Sequence, residues 1–186
     1  MPLIIIEPKG FLYRKTDLVD NRLENTAAEN CMVFSKHRLI FREGTRDFLE
    51  FLFNRYTVGF YSSLPKKVLK QILKLLLTPE QYGKTLFIWG EYRLRLDLCR
   101  PGFKTYKSIK DIFENPEINC NRQWNTSNVL FLDTNCKKLE EMPPENVCLI
   151  KKFSGSSHNL YLYDLMSEIP KFYFDSSSVL DGMLIT

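Results

Sequence analysis

Five short apolar runs alternate with amphipathic stretches along this chain, and that alternation limits the fold more than any other feature. The runs are LIII (3–6), TVGFY (57–61), KTLFIWG (84–90), NVLFLD (128–133) and ENVCLI (145–150). They are almost continuously apolar and rich in β-branched and aromatic residues. Strands of this kind are covered on both faces, which is the pattern of a parallel sheet rather than of one with a wet face. Between them, FREGTRDFLEFLFNRY sets Phe48, Leu49, Leu52 and Phe53 on one side behind Gly44 and Thr45, which predicts an N-capped helix. LPKKVLKQILKLLL repeats with a period of 3.6 behind Pro65 and predicts a second helix. SIKDIFEN (108–115) predicts a short helix ahead of Pro116, and NLYLYDLMSEIPKFYF a last one closed at or beyond Pro170. Residues 14–37 are mixed and polar and predict a connecting loop or flap with a short hairpin or helix. Residues 91–107 read as irregular and basic. The expected fold is α/β: a Rossmann-like three-layer sandwich with a central, mostly parallel sheet, in one domain spanning 1–186.

Composition narrows the function classes. The formal charge is +4 among 26 basic and 22 acidic residues. The lysines are spread out and have acidic neighbours, so they describe a solvated surface rather than a nucleic-acid track. Five cysteines, none in a CxxC pair, and only two histidines offer no zinc spacing, and they point to reduced thiols in an intracellular compartment. LIII is too short for a secretory signal and runs straight into Glu7, and no apolar run approaches the roughly 18 residues of a membrane span. The basic amphipathic stretch KKVLKQILKLLLTPEQ reads as a core helix before it reads as a membrane-surface one.

In a parallel sheet, ligands bind past the carboxyl ends of the strands. The residues there are Glu7, Lys9, Ser62, Ser63 and Asp133, with Lys110 reaching the same edge from its short helix. Taken alone, Glu7–Lys9 is an ordinary acidic–basic turn, Ser62–Ser63 a cap before Pro65, and Asp133 an end-of-strand residue.

Taken in order, these residues resemble the haloacid dehalogenase (HAD) superfamily, and more narrowly the domain of the RNA polymerase II C-terminal-domain phosphatases and their small relatives. FREGTRDFLEFLFNRYTVGFYSSLPKKV resembles the family's arginine–proline–glycine start, its DEFL-type helix and its strand ending in serine or threonine. SIKDI resembles its lysine–aspartate segment, and NVLFLDTNCKKLEEMPPENVCLI its fourth motif. HNLYLYDLMSEIPKF resembles its closing helix. The resemblance implies a site of Asp-x-Asp-x-Thr chemistry, in which one aspartate attacks phosphorus and binds Mg²⁺ and the next serves as acid and base. Here those positions hold Glu7, Lys9 and Phe11. Ser62 keeps the motif II hydroxyl, Lys110 the motif III lysine and Asp133 the motif IV acid, with Thr134 after it. The arginine–proline–glycine reads Arg42-Glu43-Gly44.

The departures fall on the chemistry. Glutamate moves an attacking oxygen by roughly 1–1.5 Å, an error that can cost about 10²-fold in rate. Lysine cannot shuttle a proton near neutrality unless burial pulls its pKa down to about 7. An ammonium at Lys9 is expected to pair with Asp133, Glu7 or both and stand in for the metal, and Phe11 to close part of the pocket with bulk. No cofactor is expected. Glu7 and Asp133 are the metal ligands only if Mg²⁺ binds. The reading that follows is a catalytically inactive phosphatase-like domain acting as a scaffold or subunit among other proteins, with Tyr161, Tyr163, Phe172, Tyr173 and Phe174 as interface aromatics. Two alternatives stand beside it: an active Mg²⁺-dependent serine/threonine phosphatase, and a non-catalytic phosphopeptide- or phosphate-binding module. Cytoplasm, nucleus and mitochondrion are all open to such a domain.

Overall fold

The structure is a computed structural model and describes residues 1–17, 31–98, 104–155 and 160–174. Its centre is the LIII run. As strand β1 (Leu3–Ile6) it pairs in parallel on both sides, with β5 (Thr57–Tyr61) and β9 (Val129–Asp133). Strand β10 (Val147–Leu149) extends the sheet beyond β9, and β6 (Ile88–Trp89) beyond β5. The order is β10-β9-β1-β5-β6, and every pairing is parallel. All four β1 side chains are at most 1% exposed. Full burial of one such side chain is worth about 1.5–3 kcal/mol, which is why an unalternating run belongs at the sheet centre.

The pleat sends alternate residues into two cores. Ile4, Ile6, Val58 and Leu130 face one layer. That layer is built on α1 (Thr45–Arg55), α2 (Lys66–Leu76) and α5 (Tyr161–Glu168) through Phe48, Leu52, Leu69, Leu73 and Leu162. Leu3, Ile5, Tyr61 and Phe131 face the other, with Ile112 of α4 (Lys110–Phe113) and Trp124 of the loop that follows. Helix α2 buries Leu69, Ile72, Leu73 and Leu76 and leaves Lys66, Lys67, Lys70 and Lys74 in water, so it is a core helix. Among the described residues no helix is long and apolar enough to cross a membrane.

Several elements differ from expectation. Helix α1 begins at Thr45 behind Gly44, which sits at φ 75°, and the Thr45 hydroxyl turns back to the Arg42 carbonyl at 2.6 Å instead of capping forward. Of the predicted strand 84–90, Ile88–Trp89 is the strand proper, while the Leu86 amide donates to the Val58 carbonyl at 2.9 Å and the Phe87 carbonyl accepts the Phe60 amide at 3.0 Å. The described part of the 14–37 flap is sheet. Strands β2 (Tyr13–Asp17) and β3 (Cys31–Phe34) flank β4 (His37–Phe41) in an antiparallel triplet, and residues 18–30 lie outside the described residues. The basic segment read as irregular folds partly as a hairpin of β7 (Arg95–Asp97) and β8 (Lys104–Tyr106). The last predicted helix divides at Pro170, which lacks an amide proton to continue it, into α5 and α6 (Lys171–Phe174). Helix α3 (Pro79–Lys84) opens on a capping box between Thr78 and Gln81.

Candidate functional site

Register brings the strand ends together. Ile6 pairs with Phe60 on one side and Leu132 on the other, so Glu7, Ser62 and Asp133 emerge side by side at the carboxyl edge of the three central strands. Glu7 is anchored there by its own amide, which donates to the Leu132 carbonyl at 3.0 Å. Its carboxylate is buried and surrounded by donors. Oε1 accepts the Ser62 hydroxyl at 2.6 Å and the Lys9 amide at 3.3 Å. Oε2 accepts the Ser63 amide at 2.9 Å, the Ser63 hydroxyl at 3.4 Å and Lys107 Nζ at 3.4 Å.

Lys107 is the residue that sequence reasoning missed. Its ammonium, in a side chain 1% exposed, also donates to Asp133 Oδ2 at 2.6 Å and so ties the two carboxylates together. Lys107 lies just past β8, where its amide is held by the Lys138 carbonyl at 2.8 Å. Lys110, one helical turn later, heads α4 and is exposed. The sequence KSIKDI offers two lysines, and helical spacing does not tell them apart. What separates them is their place in the fold: Lys107 directly follows β8, as Glu7 follows β1, while Lys110 opens α4. The expected ion pair from Lys9 is likewise made by Lys107. Lys9 is exposed and contributes its backbone amide. A four-carbon stem rooted behind the site reaches both acids without crossing the mouth, whereas Lys9 projects from the turn into water.

Phe11 does not crowd the site either. Its ring is fully buried in the core, edge-on to Phe48 with centroids 5.5 Å apart. Beside it the Arg42 guanidinium, 1% exposed, lies over Tyr161 at 4.8 Å, Phe153 at 5.2 Å and Phe11 at 5.9 Å, and donates to the Lys151 carbonyl at 2.7 Å. Arg42 therefore clamps the C-terminal helix layer to the turn after β1. Among the aromatics expected at an interface, Tyr161 is core, Phe172 is half-buried, and Tyr163 is exposed and donates to Asp47 at 2.5 Å. The side chains of Tyr173 and Phe174 lie outside the described residues.

Burial sets the electrostatics. It pushes the Asp133 carboxyl above the ordinary carboxylate range. Lys107 and the Asn135 amide, at 2.9 Å from Oδ1, pull the other way, while Glu7 pushes in the same direction as burial. Half-buried Lys138 is lowered, first by desolvation and then by Lys107. Burial and the charge of Glu7 both raise the Tyr13 hydroxyl.

The Mg²⁺ that the resemblance implies does not fit these residues. An octahedral dication needs hard oxygen ligands with room for water. Here the two acids that would hold it, Glu7 and Asp133, already share one ammonium. Each of their four oxygens accepts a hydrogen bond from the protein. Among the described residues no group of three or more His, Cys, Asp or Glu side chains is arranged to hold a metal.

A family model described as NLI interacting factor-like phosphatase matches residues 14–179. A search of curated protein sequences finds no match. Among solved structures, a variant of the fission yeast RNA polymerase II CTD phosphatase Fcp1 bound to beryllium fluoride is similar at 13% identity and TM-score 0.59, over 93% of this chain and 51% of that one. Another structure of Fcp1, an essential RNA polymerase II CTD phosphatase, is similar at 13% identity and TM-score 0.59, over 93% of this chain and 49% of its own. An uncharacterised protein from Listeria monocytogenes serotype 4b is similar at 12% identity and TM-score 0.51, over 92% of this chain and 98% of that one. The chain thus spans about half the length of the two Fcp1 chains, and the likeness at these identities is one of fold.

Proposed function

This chain belongs to the NLI interacting factor-like phosphatase family, and we propose that it is a catalytically silent member, a phosphatase-like domain that works by holding other proteins in an assembly. The observation that carries this reading is the Lys107 ammonium lying between Glu7 and Asp133 at 3.4 and 2.6 Å. Phosphoryl transfer is positioning plus charge neutralisation. A nucleophile must present a free carboxylate oxygen in line with phosphorus, and a metal must offset the charge that develops. Glu7 presents neither oxygen free, because Ser62, Ser63, Lys9 and Lys107 engage both. The position for the general acid and base is Lys9, whose side chain is exposed and which gives Glu7 only its backbone amide.

Binding through the surface is supported by the segment 92–98, where Tyr92, Leu96 and Leu98 are 54%, 52% and 70% exposed. Large apolar side chains in water favour a protein contact. The test has two arms. Phosphate release from an aryl phosphate in Mg²⁺ should stay at the buffer background for wild type and for Glu7→Ala alike. Native purification should return the chain in a stoichiometric assembly. Turnover by wild type that Glu7→Ala abolishes would overturn the reading in favour of an active phosphatase with an unusual nucleophile.

A further inference from the structure

The outer face of α2 carries charge that the fold itself does not use. Residues 51–79 hold five basic side chains and no acidic one. Lys66, Lys67, Lys70 and Lys74 are all exposed, and helical geometry places them within an arc of about 100°, away from the buried Leu69, Ile72, Leu73 and Leu76. Lys66, Lys70 and Lys74 make a straight row with steps of about 6 Å. Among the described residues none of the four lies in an ion pair. The row works against the helix that bears it. Like charges four residues apart repel, and Lys66 and Lys67 stand in the first turn, where the helix dipole favours acids and α2 has none. We propose that this lysine stripe docks an acidic helix of a partner protein, whose carboxylates at i, i+4 and i+8 lie along Lys66, Lys70 and Lys74.

Charge complementarity sets the sign of the partner, and three features favour a protein helix. A rigid row of ammoniums about 6 Å apart has the repeat that carboxylates four residues apart have on a second helix laid alongside. The stripe holds lysines and no arginine, so it offers point charges that suit single carboxylates rather than the planar fork that grips phosphate in two places. At its start Lys66 Nζ lies over the Tyr92 ring at 5.5 Å, and Tyr92, 54% exposed, gives the stripe an apolar shoulder. Protein contacts combine such an aromatic with polar surroundings. This inference rests on the reading of the chain as a subunit held among other proteins, and it adds the chemistry of the partner and the face that meets it.

The test uses the full chain and a dye-labelled synthetic helix with glutamates at i, i+4 and i+8 and leucines beside them, titrated by fluorescence anisotropy at low salt. Wild type should bind it saturably. The triple variant Lys66→Glu, Lys70→Glu, Lys74→Glu should bind at least about tenfold more weakly. The triple Lys36→Glu, Lys137→Glu, Lys152→Glu, with the same change of net charge at exposed lysines elsewhere, should lose less than about threefold. Tyr92→Ser should weaken binding about threefold or more. The stripe variant should fold, because Lys66→Glu puts an acid where the helix dipole favours one. If circular dichroism shows otherwise, the corresponding glutamine triple is read in its place. No saturable binding by wild type overturns the proposal, and so does an equal loss in both triples, which would mark net charge alone. Tighter, stripe-dependent binding to phosphatidylserine vesicles or to duplex RNA than to the peptide also overturns it, in favour of a phosphate-bearing surface. Hydrolysis of an aryl phosphate by wild type is read separately: it strikes the silent reading and leaves the measurement on α2 standing.

Discussion

Ser62 donates its hydroxyl to Glu7 Oε1 at 2.6 Å, joining two residues 55 positions apart at the ends of adjacent parallel strands. That bond fills Oε1 from the neighbouring strand, and with the Ser63 amide at Oε2 it fixes the carboxylate at the sheet edge.

The buried cation is the keystone of the arrangement. Replacing Lys107 with methionine would leave Glu7 and Asp133 buried as two like charges without a counter-ion. Removing one partner of a buried ion pair costs about 3–5 kcal/mol, so Lys107→Met should lower the urea midpoint strongly at neutral pH. The loss should shrink in acid, where a protonated Asp133 carboxyl needs no counter-ion. Lys110→Met, at the exposed lysine, should change stability by no more than about 0.5 kcal/mol.

Asp133 should titrate above the ordinary value of about 3.9. Between that value and its raised folded pKa, the native state binds more protons than the unfolded chain. The contribution of Asp133 to stability therefore falls as pH rises through this window and is regained as pH drops. A carboxyl ¹³C shift titration of the Asp133 side chain checks the direction. Lys107→Met should move the midpoint further up, since Lys107 pulls it down.

Gly90 positions the donors by being small. A Cβ there would lie 2.6 Å from both the Leu64 carbonyl oxygen and the Lys66 amide nitrogen, backbone atoms that cannot swing aside. Gly90→Ala should cost about 1–3 kcal/mol by overpacking and should shift the amide resonances of Ser62, Ser63 and Leu64, which a heteronuclear correlation spectrum would show.

Arg42→Lys keeps the charge but loses the flat guanidinium that stacks among Tyr161, Phe153 and Phe11. A lysine cannot reproduce that stacking. The expected loss is about 1–3 kcal/mol in a denaturant melt, from the stacking and from the bond to the Lys151 carbonyl.

The sheet was legible because its strands are short and unalternating, and because each ends at an abrupt change of polarity. Glu7, Ser62 and Asp133 could be picked out as neighbours from those endings alone. The flap was legible only as a loop with a short hairpin or helix: β3 and β4 form a hairpin, but YRKTD and HRLIF alternate weakly and pair across a polar stretch, so cross-strand pairing rather than local pattern creates β2. The same limit hid Lys107. A side chain's burial is decided by the elements that close over it, and nothing within KTYKSIKDI distinguishes a lysine under the sheet edge from one on a helix surface. Phe11 was misplaced for a related reason, because the Gly10 turn at φ 80° directs it into the core instead of the site.

Paramagnetic line broadening by Mn²⁺ tests most directly whether Lys107 has taken the place of a metal. A Mn²⁺ ion held at the strand ends would erase the amide resonances of Glu7, Lys9, Asp133 and Asn135, and excess Mg²⁺ would restore them. The account predicts that these four resonances persist in wild type at Mn²⁺ concentrations that broaden only exposed acidic surface sites. Their selective loss, reversed by Mg²⁺, would show a working metal site between Glu7 and Asp133 and would contradict the account.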